Sequence, residues 1–393
     1  MATYTQENRR IQVITPLGDD VLLLQSFSGH EGVSTLFQFD LAMHSENREI
    51  KFDDIIGKKA TIRIIDDVGK ERYVNGIISS FAQSGASSIF AYYRATLVPW
   101  TWLLTRTTDC RIFQNKTVPD IIEKIFDERG FKDYKNELSG SFTEREYCVQ
   151  YRETSFNFVS RLMQEEGIFY YFRHEEDTHT LVLANNPSAF KPCPNQAEAR
   201  YEPVEGAGYT EDVVTQWSIG QEVRPGKYSI VDFDFEKPLL DLTAGVDGAD
   251  ARKYEIYDYP GEYKTKSEGE GLVGIRMQEE EATRILASGS STCRFFTTGY
   301  KFDFKDHYRK DLNKTYVLTS VYHTADAGSN YEPDAGDALE YTNQFQCIPH
   351  PTPFRPPRTA PVPVVHGTQT AIVVGPSGEE IYVDKYGRVK VQF

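Results

Sequence analysis

From Leu36 to Leu41 the chain reads Leu-Phe-Gln-Phe-Asp-Leu, and Phe37, Phe39 and Leu41 fall on every second residue. A period of two is a strand with one buried face, because successive strand side chains point to opposite sides of a sheet. The same rhythm returns from Ala60 to Ile65, from Arg72 to Phe81 and from Ile89 to Val98. Asp66-Asp67-Val68-Gly69 and Ser84-Gly85-Ala86-Ser87-Ser88 form turns between them, and the apolar run Val21–Leu24 comes first. Short strands broken by polar turns predict an antiparallel sheet or barrel. Aromatics make up 13% of the 393 residues, which suits a β-rich chain because Tyr and Phe favour strands. The length exceeds one ordinary domain.

Two helices are expected next. Thr117-Val118-Pro119-Asp120 carries an N-cap Thr, a proline in the first turn and an acid three residues after the cap. Ile121, Ile122, Ile125 and Phe126 then form one face, and Gly130 ends it. The second helix starts at Thr154 or Ser155 and stops at Gly167. Ile168–Phe172 and Leu181–Leu183 then read as a hairpin. Strands are expected between Val213 and Phe235, at Phe302–Phe304 and from Tyr316 to His323. A mobile loop is expected over Glu262–Gly271 and a helix from Leu272 to Ala287. Seven of the eighteen residues from Pro349 to His366 are proline, which predicts a stiff, extended linker. Thr370–Val374, Glu380–Val383 and Val389–Phe393 read as three more short strands that leave an exposed edge.

Charge and cysteine exclude whole classes. With 58 acidic and 43 basic side chains the net charge is −15, so the chain lacks the field that neutralises nucleic-acid phosphates or holds an anionic membrane surface. No apolar run approaches the roughly 20 residues of a membrane span, and Met1–Glu7 has no secretory pattern. Cys110, Cys148, Cys193, Cys293 and Cys347 are odd in number and widely spaced, which fits reduced, mostly buried thiols.

Candidate chemistry is sparse. Gly269-Glu270-Gly271-Leu272-Val273-Gly274 matches G-x-G-x-x-G, but polar Lys264–Glu268 precedes it where a dinucleotide site needs a buried strand. His174-Glu175-Glu176-Asp177-Thr178-His179 collects metal-ligating types, yet its place at a hairpin tip favours a solvated turn. Glu165-Glu166 and Glu279-Glu280-Glu281 read as solvated helix faces. No nucleophile elbow occurs. His350, Arg355 and Arg358 make the linker locally basic, suited either to solubility or to tracking an acidic surface of this chain or of a neighbouring subunit. No catalytic, cofactor-binding or metal residue is assigned, and no cofactor is expected.

Several blocks, in order, carry a resemblance: Phe27-Ser28-Gly29-His30-Glu31-Gly32-Val33-Ser34-Thr35-Leu36-Phe37-Gln38-Phe39, Tyr93–Trp100, Cys110–Val118, Gln164–Phe172, Tyr257–Tyr263, Phe354–Arg358, Gln369–Pro376 and Asp384–Val391. Together they resemble VgrG, the spike protein family of type VI secretion systems, over essentially the whole chain. The resemblance implies a mainly β (α+β) fold like the baseplate hub and spike of contractile-tailed phages. Its expected parts are a first hub β-barrel domain (1–105), an α/β insertion (106–205), a second, related hub β-barrel domain with a helix (206–348), a proline-rich linker (349–366) and the start of an OB-fold (367–393), incomplete at Phe393. It also implies a structural protein, not an enzyme. The expected partners are two further copies in a homotrimer, a hexameric Hcp-type tube, baseplate proteins, and effectors with their adaptors, without nucleic acid or stable membrane insertion. The expected route is assembly in the cytoplasm and export without a signal peptide, as the spike is expelled to puncture a target cell. The tube-contact residues are not legible. A carboxylate- or metal-dependent hydrolase and an oligosaccharide-binding module are the competing readings.

Overall fold

The computed structural model describes residues 4–203, 211–249, 254–328, 331 and 339–393. The chain forms two units, Met1–Ala360 and Pro361–Phe393. The first opens with β1 (Ile11–Ile14), β2 (Leu23–Gly32), β3 (Thr35–Ser45), β4 (Lys59–Ile65), β5 (Glu71–Ala86) and β6 (Ala91–Val98). Next come β7 (Thr108–Phe113), α1 (Val118–Glu128), β8 (Tyr134–Glu137), β9 (Cys148–Thr154), α2 (Ser155–Glu165), β10 (Phe169–His174) and β11 (His179–Ala184). They are followed by β12 (Lys191–Pro192), β13 (Glu198–Arg200), β14 (Val214–Gln221), β15 (Lys227–Ile230), β16 (Ala244–Asp247) and β17 (Glu255–Asp258). The unit closes with α3 (Lys266–Ala282), β18 (Ile285–Ser291), β19 (Tyr300–Lys305), β20 (Thr315–Asp326) and β21 (Glu340–Pro349). In the second unit β22 (Ile372–Val373) pairs with β23 (Val391–Gln392), and Val383 bridges Val389.

The fold is mainly β. One 13-stranded sheet runs β1-β4-β5-β6-β3-β2-β20-β21-β18-β14, with β19 beside β20 and both β12 and β13 beside β19. Among the described residues this sheet does not close into a barrel. The alternation in β3 is borne out, with Phe37, Phe39 and Leu41 all buried. The expected hairpin is present as β10 and β11, which pair from Phe169–Ala184 to His174–His179. Both expected helices form. Thr117 accepts from the Asp120 N–H while the Asp120 carboxylate accepts from the Thr117 N–H, and Ile121, Ile122, Ile125 and Phe126 are buried.

Two boundaries move. Helix α3 begins at Lys266, inside the expected loop, because Thr265 and Glu268 form a capping box that offsets the helical cost of Gly269 and Gly271, about 1 kcal/mol each. It ends at Ala282, and Ile285–Ser291 is a strand of the large sheet. Strand β21 was not expected. Its inward residues Tyr341, Asn343, Phe345 and Cys347 alternate as strictly as those of β3.

The sheet contains a duplication. Strands β2, β3, β6 and β5 recur as β14, β18, β21 and β20, in the same chain order and with the same neighbours. The β2–β3 ladder shifts register between Leu24 and Ser26, and β14–β18 shifts between Val214 and Gln216. The β5–β6 ladder shifts between Ile78 and Ser80, and β20–β21 shifts between Leu318 and Ser320. The bulged residues make the same bond: Ser79 Oγ donates to the Thr96 carbonyl and Thr319 Oγ1 to the Gln346 carbonyl, each at 3.2 Å. An extra residue at the same ladder position bends and twists both quartets alike. The quartets meet where β2 pairs with β20, from Ser26–Asp326 to Gly32–Ser320.

Gly299 lets the hairpin reach the second quartet. Its φ is +78°, and a Cβ there would lie 2.3 Å from the Tyr171 ring. Gly299→Ala is expected to cost about 2–4 kcal/mol by urea unfolding. Gly57→Ala, also at positive φ (+73°) but with open space around it, should cost about 1 kcal/mol. Equal costs would remove the contact with Tyr171 from the argument.

Candidate functional site

The residues singled out in the sequence are drawn into structure. The 174–179 turn keeps Glu175, Glu176 and Asp177 in solvent, but its imidazoles turn inward, against the expectation of a wholly solvated turn. His179 Nδ1 lies 2.8 Å from Asn75 Oδ1, and its Nε2 accepts the Trp100 N–H at 2.8 Å. This fixes a neutral ring, and burial pushes its pKa well below the ordinary value. His174 Nδ1 lies against the Asn75 backbone, at 3.2 Å from N and 3.1 Å from O. The turn is stapled to β4 and β5 because its own carbonyls serve as acceptors: Thr61 Oγ1 donates to the Glu176 carbonyl at 2.6 Å. Among the described residues no group of three His, Cys, Asp or Glu side chains is placed to hold a metal.

The G-x-G-x-x-G segment is the first half of α3. A Cβ on Gly269 would sit 2.5 Å from the Tyr263 ring, so this glycine serves close packing. The paired carboxylates are engaged as well. Arg145 bonds Glu165 at 2.6 Å and Glu166 at 2.8 Å, and Glu279 meets Arg276 at 3.1 Å.

The first part of the proline-rich segment is docked on its own unit. Phe354 is buried edge-to-face against Phe169, with ring centroids 5.8 Å apart. Arg355 Nη1 donates to the carbonyls of Gly167 and Asn185, both at 2.8 Å, and its Nε donates to Gln278 at 2.9 Å. Arg358 donates from its backbone N–H to Glu279 at 3.0 Å and from Nη2 to the Tyr228 hydroxyl at 3.0 Å. The Thr359 and Ala360 N–H groups share Gln164 Oε1 at 3.0 and 2.9 Å. Of the two readings for these basic residues, Arg358 follows the one in which they track an acidic surface of the chain's own, through Glu279, while Arg355 is held by carbonyls and an amide and meets no acid.

A buried charge cluster sits where the quartets meet, and the sequence reading missed it. Glu31 on β2 accepts from Arg72 on β5 at 2.6 Å and from Thr298 at 3.2 Å, and lies 2.9 Å from His323 Nε2 on β20. His323 Nδ1 lies 2.7 Å from the Tyr341 hydroxyl on β21. Burial alone would raise the Glu31 pKa, but Arg72 and then His323 override it and hold the carboxyl at about 2. Burial, then Arg72, lowers His323 to about 4 against the pull of Glu31. Near neutral pH the cluster is therefore one ion pair with a neutral imidazole that donates to Glu31 and accepts from Tyr341. The available signal was phase: Glu31 and His323 occupy the inward positions of their strands, where apolar residues are the rule.

The outward face of the duplicated sheet is mostly small and polar side chains, with Arg94 and the half-exposed Tyr322 among them. The first quartet presents Ser26, Ser28, Asp40, Ser80 and Thr96, and the second Gln216, Ser218, Ser288, Ser290 and Gln344. Two edges are open among the described residues. One is β14 from Gln216 to Gln221. The other is the second half of β5, beyond Ile78, whose backbone still bonds Gly57 and Lys58 after the pairing with β4 stops.

The charge cluster sets a pH dependence. The folded pKa values of His323 and Glu31 lie below their ordinary 6.5 and 4.5, so the unfolded chain takes up protons first. Stability should fall as pH drops from about 6.5 to 4 through His323, and again from about 4.5 to 2 through Glu31. Urea midpoints at pH 7.5, 6 and 5 should decline, and His323→Gln should flatten that slope. Glu31→Gln, which strands Arg72 in the interior, should cost about 3–5 kcal/mol at pH 7.5.

The profile of the phage tail baseplate hub (GPD) family matches residues 30–329. The chain is 40% identical over 392 residues to the type VI secretion system spike protein VgrG1b of Pseudomonas aeruginosa, a match that covers 99% of this chain and 53% of that one. It is also 40% identical over 392 residues to VgrG1a of the same organism, covering 99% of this chain and 61% of the relative. The chain thus spans about half to three-fifths of the length of these relatives. Its fold is similar to that of the E. coli c3393 protein, described as a component of the type VI secretion system with structural similarity to the T4 bacteriophage tail proteins gp27 and gp5. That match has a TM-score of 0.73 at 21% identity and covers 97% of this chain and 89% of the other. With a duplicated hub-like sheet and a family match spanning most of its length, the chain belongs to the phage tail baseplate hub family.

Proposed function

We propose that this chain is the hub portion of a type VI secretion spike: three copies form a ring that caps a hexameric Hcp-type tube and is expelled with it to deliver effectors. The observation that carries the reading is the duplication with its two open edges. The chain already contains one junction between quartets, and the junction between copies follows the same rule. The open edge of β14 corresponds to the paired edge of β2, and the open half of β5 corresponds to the paired half of β20. Three copies joined β14 to β5 close six quartets into one barrel, with the polar face lining its interior. Closure leaves no unpaired edge in the ring, which is how a protein with long strands avoids uncontrolled edge pairing. Six similar quartets match a six-fold tube although the ring has only three copies. The barrels expected from the sequence are on this reading shared between copies.

Val33 and Val223 support the same correspondence. Val33 follows β2, is buried, and its N–H donates to the bulge carbonyl of Thr319 at 2.9 Å. Val223 stands at the equivalent place after β14 and is 65% exposed. The role is mechanical and needs no chemistry of its own: the inward imidazoles and the paired carboxylates serve structure. The charge of −15 suits protein partners and not nucleic acid. Assembly takes place in the cytoplasm, and export follows expulsion with the tube. Baseplate proteins, adaptors and effectors are the further partners of this reading.

The register can be tested. The shared bulges align His30 with Gly220 and Tyr322 with Ala82, and His30 faces Tyr322 in the internal junction. In a Cys110→Ser background, Gly220→Cys combined with Ala82→Cys is expected to oxidise to covalent dimers and trimers on a non-reducing gel, while each single variant stays monomeric. Val223→Asp should suppress these products without moving the urea midpoint. Absence of cross-linking, or equal cross-linking from Gly220→Cys paired with Thr96→Cys, would contradict the reading.

A further inference from the structure

The strap from Pro349 to Ala360 begins where β21 ends, and β21 lies between β20 and β18 in the middle of the sheet. Tension arriving through the 361–393 unit would reach β21 at its C-terminal end. Pulled there directly, a strand peels, and its ladder bonds break one after another. The strap changes that geometry. From Arg355 to Ala360 seven hydrogen bonds, three from Arg355, two from Arg358 and one each from the Thr359 and Ala360 N–H groups, tie it to the end of α2, the residue after β11, α3 and β15. These anchors belong to four separate segments, so a pull on Ala360 loads them together. Prolines suit the part: they stiffen the segment and, lacking an N–H, keep it out of the neighbouring ladder. Gly167 lets Arg355 in, because a Cβ there would lie 3.0 Å from the Arg355 Cδ.

We infer that residues 349–360 are a strain-relief anchor, pinned by Arg355, that keeps force applied through the C-terminal unit from reaching β21. The inference rests on the spike reading for the source of the force, but its test does not need the trimer.

The full chain is held at its two termini in an optical trap and pulled. The wild type should first release residues 361–393, about 115 Å of extended chain, and hold at Ala360 until a higher force. In Arg355→Ala the hold should weaken by roughly a third to a half, because three of the seven bonds are lost, and the first release should lengthen by about 40 Å as the strap leaves with it. Gln164→Ala, which removes two of the bonds and leaves no buried charge behind, should act in the same direction if Arg355→Ala folds poorly. The urea midpoint of Gln164→Ala should stay near that of the wild type, which separates anchoring from general stability. A wild-type first release that already includes the strap, or variants with unchanged hold force and length, would overturn the inference. Failure of the spike reading would show in the cysteine cross-linking and leave these traces untouched.

Discussion

Every backbone N–H and C=O along a sheet edge needs a partner, and most of this architecture follows from how those edges are met. A four-stranded quartet has two edges. The chain makes two quartets and joins one edge of each through β2 and β20, leaving β14 and the second half of β5 open. The matched bulges give both quartets the same bend, so a junction that works once within the chain can work again between copies. The buried Glu31–Arg72–His323–Tyr341 cluster sits at that internal junction and ties β2, β5, β20 and β21 together. A buried ion pair adds little net stability, but it makes a wrong pairing costly, since a slipped register would strand a charge.

Much of this was legible from residue patterns because those patterns are local. Alternation in β3 and the caps at Thr117 and Thr154 depend on neighbours a few residues away, and the structure keeps them, whereas in β5 the run Val74–Ile78 is buried on both faces. The boundary between α3 and β18 was misread because apolar Ile285 and Leu286 fit a helical stripe as well as a strand. The 174–179 turn was misread in part because its carboxylates do lie in solvent, while its imidazoles are claimed by Asn75 on β5 and by Trp100 just after β6, both distant in sequence. The charge cluster is fully non-local and showed only as acids and imidazoles in an apolar phase.

The duplication was implied by the family resemblance and not by the residues. Phe27 and Trp217 occupy equivalent places, as do Leu41 and Gly289, and only the first pair looks alike. What the quartets share is backbone: two bulges, their hydrogen bonds and the order of strands. The proline-rich segment teaches a related point. Composition described its stiffness correctly, but Phe354, Arg355 and Arg358 decide that its first part is docked, through side chains that reach carbonyls and carboxylates the prolines cannot pair with.

The central claim is that the open edges of β14 and β5 pair with each other between copies. Amide hydrogen exchange, followed residue by residue alongside solution mass over a concentration series, tests it most directly. The account predicts that the amides within 216–221 and 80–86 that point away from β18 and β6 exchange freely in the monomer and become protected together as a trimer appears, while those bonded to β18 and β6 are protected throughout. A trimer whose β14 and β5 edges stay unprotected, or a chain that remains monomeric at every concentration, would contradict it.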